Sequence, residues 1–247
     1  DDFATLIELP PFAPMTLSDL DLQGKRALVR VDFNVPLDEA QYVTDATRIR
    51  RAIPTIQALL DGGASVVLMS HLGRPKGPSA ELSLKHVAPT LSDLLGKPVK
   101  FAEDCVGDKA LDVTQALQPG EVALLENLRF HGEEKAGDEF FAGQLAENGD
   151  VYVNDAFGTA HRAHASTAVI AKFFPEDKAF GLLMQGEVEA LNKVLSTPAK
   201  PLLAIIGGAK VSSKLSILEN LVDRVDKLIV GGGMAYTFVK AQGGSIG

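Results

Sequence analysis

The chain of 247 residues has one cysteine, no tryptophan and no long hydrophobic run. With Cys105 alone, no internal disulfide can close and no cysteine-based zinc cluster of ordinary spacing can form. Its surroundings, "AEDCVGD" (102–108), offer no basic neighbour to activate a thiolate, so Cys105 reads as a structural residue of a reducing, cytoplasmic protein. No apolar stretch approaches the roughly 18 residues of a membrane span. Basic residues are outnumbered, with 24 Lys and Arg against 32 Asp and Glu. The net charge of -8 argues against nucleic acid and anionic membranes as partners. Any anion site must therefore be a local basic cluster in an acidic protein. No HExxH or comparable ligand pattern is present, so no metal site is expected.

Hydrophobic residues make up 46% and charged residues 23%, the balance of a globular chain rather than a disordered one. Residues 1–14 begin acidic, without the basic start and small-residue cleavage site of a secretory signal, and read as an extension before Met15. From there strand and helix patterns alternate. Strand candidates are "RALVRV" (26–31), "SVVLM" (65–69), "PVKFA" (98–102), "EVALLE" (121–126) and "VYVND" (151–155). The segment 44–63 reads as a helix capped by Asp45, stopped by Gly62-Gly63 and kinked or restarted by Pro54. Residues 83–96 and 138–149 read as further helices.

Several strands are apolar on both faces, which predicts an α/β fold with a doubly wound parallel sheet. That sheet is expected within residues 15–183. A helix from Gly186 to about Leu195 lies in a connecting segment, 184–200, and a partial second α/β unit follows over 201–247. Because this second unit holds only two strand patterns, the chain is expected to be a fragment cut within it, one that could self-associate.

The residues after each strand carry the functional signal. Asp32 and Asn34 follow the first, His71 and Arg74 the second, Asn127 and Arg129 the fourth, and Asp155, His161, Arg162 and His164 the fifth. Arg48 opens a helix. In a parallel sheet these ends share one edge. Arginines crowded there repel one another unless an anion neutralises them, and arginine suits carboxylate and phosphate through paired hydrogen bonds. The set fits a small ligand bearing both groups, with Asp32 and Asn34 holding a hydroxyl. His161 and His164 flank Arg162 and read as ordering its loop, while His86 and His131 read as surface residues.

The later "GGAKVSSK" (207–214) places Lys210 and Lys214 four residues apart near a helix start, hence on one helix face. Two cations there oppose the helix dipole and each other, at about 0.3–1 kcal/mol per effect, which a bound anion would reverse. "IVGGGMAYTF" (229–238) again leads glycines from a strand into a helix, either for ligand approach or for close packing. Neither GxxxxGK[ST] nor GxGxxG is matched. On residue types alone, a non-catalytic anion-binding module and a sugar-phosphate isomerase or lyase stay open. The latter needs a base, and Glu126 is the sole strand-end glutamate available, more readily a support for the arginine loop.

"RVDFNVPL", "TRIRRAIPTI", "SHLGRPKG", "ENLRF", "VNDAFGTAHRAHAS", "GGAKVSSK" and "GGGMAYTF" occur in that order. Together, from about Met15 to Gly247, they resemble the phosphoglycerate kinase family. The resemblance implies phosphoryl transfer between 1,3-bisphosphoglycerate and ADP, giving 3-phosphoglycerate and ATP with magnesium. It implies two doubly wound domains, the first for the glycerate and the second for the nucleotide, closing about a hinge, and a monomeric complete enzyme. Under it, Asp32, Asn34, Arg48, His71, Arg74, Arg129 and Arg162 look like substrate contacts. Arg48 and Lys214 look like the residues balancing charge on the transferred group. Lys210, Gly208, Gly232 and Gly233 look like the nucleotide wall. The family's later GGDTAT-type loop, which helps hold magnesium-nucleotide, is missing from this sequence, so this chain alone is expected to be inactive.

Overall fold

The computed structural model describes residues 15–196, 199–212 and 214–247. The expected extension, 1–14, lies outside the described residues. The described residues form two compact units, the first ending at Val188 and the second beginning at Glu189.

The first unit is built on a six-stranded parallel sheet in the order β3-β4-β2-β1-β5-β6. Its strands are β1 (Arg26–Arg30), β2 (Ser65–Met69), β3 (Val99–Ala102), β4 (Val122–Leu125), β5 (Val151–Asn154) and β6 (Lys178–Phe180). Alternate residues feed two cores. Ala27, Val29, Val66, Leu68, Val122, Leu124 and Val153 face one side, where Ile49, Ile56 and Leu59 cover them. Leu28, Val67, Met69, Ala123, Leu125 and Tyr152 face the other, covered by Phe141, Leu145 and Ile170. Burial on both faces explains the unbroken apolar strands.

Helix α1 (Thr47–Asp61) supplies the first cover. The Asp45 carboxylate accepts from the Thr47 N–H at 2.8 Å, though Ala46 is the capping residue. Pro54 does not interrupt this helix. It sits on the exposed face, where water can reach the Arg50 carbonyl that loses its partner. The helix expected over 83–96 is instead a short 3₁₀ turn, Leu84–His86, followed by α2 (Ala88–Leu95). Pro89 lies in the first turn of α2, where its missing N–H is harmless, and so marks a new start. Helices α3 (Asp108–Thr114), α4 (Gly132–Ala136) and α5 (Glu139–Ala146) follow, the last capped by Asp138 through the Phe141 N–H at 2.8 Å.

Helix α6 runs Leu182–Ser196, starting four residues before the position the sequence suggests. Its first turn is capped from a distance. Thr55 Oγ1 accepts from the Leu182 N–H at 3.0 Å, and Asp155 Oδ1 accepts from the Met184 N–H at 3.0 Å. Such caps leave no local signature.

The second unit holds a two-stranded parallel sheet of β7 (Leu203–Gly207) and β8 (Lys227–Gly231), with α7 (Leu215–Val222) and α8 (Met234–Ala241). Ile205 and Ile229 remain exposed on that sheet. No helix among the described residues is long and apolar enough to cross a membrane.

Candidate functional site

In the strand order of the first unit, β1 is flanked by β2 on one side and β5 on the other. The chain leaves β1 toward β2 and leaves β5 toward β6 on the opposite side, so the two loops diverge and open a crevice at the carboxyl edge. A cavity of about 290 Å³ lies there. Asp32, Asn34, Arg48, His71, Arg74, Arg129 and Arg162 all line it, together with Gly73, Gly158 and Thr159. Every residue singled out for the glycerate side is thus brought to one cavity.

The loops are tied to one another before any ligand arrives. Ser70 Oγ accepts from the Phe33 N–H at 2.9 Å, and Asn34 Oδ1 accepts from the Gly73 N–H at 2.8 Å. The buried Asn127 donates to the carbonyls of Leu72 and Leu82, both at 2.8 Å. Arg129 Nη1 donates to the Gly73 carbonyl at 2.8 Å. Gly73 turns the SHLGRP loop at φ +64°, the left-handed region that favours glycine. Arg48 Nη1 lies 2.8 Å from Asp32 Oδ2, and Arg162 Nε donates to His161 Nε2 at 3.2 Å. Arg74 is exposed.

Four guanidiniums face a single carboxylate across this cavity, a local surplus of three positive charges in an acidic chain. Burial lowers the affinity of Arg129 for its proton, and Arg30, Arg162 and Arg74 add to that pressure. The guanidinium stays charged at any ordinary pH, so the repulsion favours an anion.

Sequence reasoning passed over Arg30. It is fully buried on the second face of β1, beside Tyr152 and the loop that follows β5. Its Nε donates to Ser166 Oγ at 2.9 Å, and Nη1 donates to the Val31 carbonyl. Ser166 in turn donates through Oγ to the buried Glu134 carboxylate at 2.6 Å, and its N–H donates there at 2.9 Å. Glu134, the equally overlooked acidic member of "HGEEKAG", is the opposite charge closest in effect to Arg30.

Arg30 Nη2 sits 3.1 Å from His71 Nδ1. Arginine has only donors, so His71 Nδ1 must be the acceptor and the imidazole proton resides on Nε2. Burial, then the positive charges of Arg30, Arg129 and Arg48, push the His71 pKa down to about 2. His71 is therefore a neutral imidazole at the cavity wall, with its Nε2–H as its remaining donor.

The other candidates are placed as follows. Glu126 is taken up by Ser83 Oγ at 2.6 Å and by the Leu84 and Asn127 N–H groups at 2.8 and 2.7 Å, as suits a support and not a base. His164 is buried with Nδ1 at 3.9 Å from Glu134, too far for a hydrogen bond. His131 departs from the surface reading: it is half-buried, with Nε2 2.8 Å from Asp104 Oδ1.

In the second unit, Lys214 occupies the capping position of α7 and Lys210 lies in the preceding loop. The expectation that the pair shares a helix face is therefore wrong, because the helix begins only at Leu215. Gly208 and Gly232 meet backbone to backbone: a Cβ on Gly232, at φ +68°, would lie 2.9 Å from the Gly208 carbonyl oxygen. The Met234 N–H donates to that same oxygen at 2.8 Å. Close packing of two strand ends thus accounts for these glycines directly.

The model of the phosphoglycerate kinase family matches residues 17–247. The chain belongs to that family. Phosphoglycerate kinase from Moorella thermoacetica is 60% identical over 236 residues, covering 95% of this chain and 59% of the relative. That from Thermosynechococcus vestitus is 55% identical over 231 residues, covering 94% and 58%. The solved structure of phosphoglycerate kinase from Coxiella burnetii superposes with a TM-score of 0.81 at 45% identity, over 95% of this chain and 58% of that one. The chain thus spans a little under three-fifths of the length of these phosphoglycerate kinases.

Proposed function

We propose that the arginine-lined cavity binds 3-phosphoglycerate, and that the chain carries the glycerate-binding part of a cytoplasmic phosphoglycerate kinase. The reaction is reversible phosphoryl transfer between 1,3-bisphosphoglycerate and ADP. The observation that carries this reading is the surplus of three positive charges around one small cavity. A phosphate bears about -1.5 to -2 near neutral pH and a carboxylate -1, which together nearly cancel that surplus. Asp32, Asn34 and the His71 Nε2–H supply the acceptor and donors that a hydroxyl and a carboxylate need.

The chemistry agrees with the residue set. In the ATP-consuming direction the nucleophile is the ligand's own carboxylate, ionised at pH 7, so no general base is needed. Catalysis then rests on positioning and charge neutralisation. Arg48 is assigned to neutralising the transferred group from the glycerate side, and Lys214 from the nucleotide side. Lys210, Gly208, Gly232 and Gly233 are assigned to the nucleotide side as well.

Magnesium is expected to arrive with the nucleotide, as part of the substrate. The described residues of the second unit do not fit it. Asp226 precedes β8 and Asp223 ends α7, both at the edge opposite the glycine-rich strand ends. This chain alone is expected to bind the glycerate without turning it over.

Calorimetric titration with 3-phosphoglycerate at low salt tests the site. One bound ligand per chain is expected, and Arg74→Ala should weaken it about 10- to 100-fold, the worth of one charged hydrogen bond. Equal affinity in the two proteins would refute the assignment. A coupled kinase assay tests the rest, since appreciable turnover by this chain would show that it suffices for catalysis.

A further inference from the structure

Asp104 and Cys105 follow β3, and His131 follows the loop after β4. The two strands are parallel neighbours, so both loops leave the sheet at the same edge. There, one donor atom from each of Asp104, Cys105 and His131 lies within 4.8 Å of the other two. None of the three lines the anion cavity.

The geometry is held in place. Asp104 Oδ1 accepts from the Cys105 N–H at 2.7 Å and lies 2.8 Å from His131 Nε2. The His131 ring sits 5.1 Å from that of Phe141, centroid to centroid. The thiol is fully buried, whereas the carboxylate and the imidazole are partly exposed. Those two line a separate cavity of about 600 Å³. The imidazole and the carboxylate thus front that cavity, and the thiol, which does not line it, is buried beside them.

We propose that Asp104, Cys105 and His131 bind a borderline-soft divalent cation of the zinc type. Thiolate, imidazole and carboxylate form the mixed S, N and O set that zinc takes in tetrahedral geometry. Magnesium and calcium, which demand oxygen ligands, are poorly matched. Zinc bonds of about 2.0–2.3 Å place neighbouring donors roughly 3.2–3.8 Å apart, so donors that now lie within 4.8 Å of one another must draw in by about 1 Å where they are farthest apart to close on the ion. The fourth position would take water or a small anion. A hydrogen bond from His131 to Asp104 that merely tied two loops would not require a thiol within 4.8 Å of both. No sequence motif reveals this set, because Asp104 and Cys105 are adjacent and His131 comes 26 residues later.

Titration of the chain with cobalt(II) reads the site without ambiguity, because Cys105 is the single cysteine. A thiolate-to-cobalt charge-transfer band is expected, saturating at one ion per chain and displaced by stoichiometric zinc. The band should vanish in Cys105→Ala, and binding should weaken at least about tenfold in His131→Gln. Circular dichroism monitors folding of both variants. Should Cys105→Ala fail to fold, the unmutated chain and His131→Gln decide the question. Absence of the band with cobalt in excess, or a band whose affinity His131→Gln leaves unchanged, would overturn the proposal. So would zinc binding in calorimetry that Cys105→Ala retains in full.

Discussion

The pairing of Arg30 with His71 makes a prediction about acid. The folded chain holds His71 neutral down to about pH 2, through its burial and the charges of Arg30, Arg129, Arg48 and His164. In the unfolded chain the imidazole titrates near its ordinary value of about 6.5. Between those limits the unfolded state binds the extra proton, so stability rises with pH and falls as acid is added. Above about pH 6.5 the effect is absent. Below it, each pH unit costs the folded state about 1.4 kcal/mol from this one residue, or about 2.7 kcal/mol at pH 4.5. His71→Gln preserves an acceptor for Arg30 and a donor for the cavity but cannot titrate. Urea denaturation of both proteins at pH 7 and pH 4.5 should therefore show the unmutated chain losing about 2–3 kcal/mol more than the variant. Nitrogen NMR of the imidazole provides the direct readout: a proton on Nε2, a bare Nδ1, and no titration between pH 5 and 8. Parallel stability profiles, a proton on Nδ1, or a midpoint near 6.5 would refute the reasoning.

Two further outcomes follow from packing and charge. Arg30→Met strips the buried Glu134 of its compensating charge and should cost about 3–5 kcal/mol in urea denaturation. Adding Glu134→Gln should recover part of that loss, and a double variant no more stable than the single one would show that Glu134 is not the counter-charge. Gly232→Ala forces a side chain onto the Gly208 backbone at positive φ and should destabilise the second unit by about 1–3 kcal/mol. Hydrogen exchange should locate the loosening within residues 189–247 and leave 3-phosphoglycerate binding unchanged; protection lost across β1 to β5 would contradict it.

Much of the first unit was legible in the order of residues. Five of its strands announce themselves as short apolar runs, and a parallel sheet brings every strand's end to one edge. Asp32, Asn34, His71, Arg74, Arg129 and Arg162 could therefore be grouped without knowing any distance, because topology alone delivers them to the same side. The motifs of the phosphoglycerate kinase family sharpened that group. Local chemistry misled where distant residues intervene. Pro89 divides one expected helix, and α6 starts early because Thr55 and Asp155 cap it across the fold.

What the sequence determined by itself is what depends on period and position along the chain: the α/β class, the strand ends and an anion site in an acidic protein. What only the tertiary structure decided is what depends on environment. An arginine within a strand and a glutamate in a charged turn look solvent-bound until the second core closes over Arg30 and Glu134. Burial turns them into a compensated pair, and Arg30 then sets which nitrogen of His71 carries the proton. The same holds for Asp104, Cys105 and His131, whose meeting depends on two adjacent strands placing separate loops side by side. Charge and hydrogen bonding act through space, and spacing along the chain does not encode them.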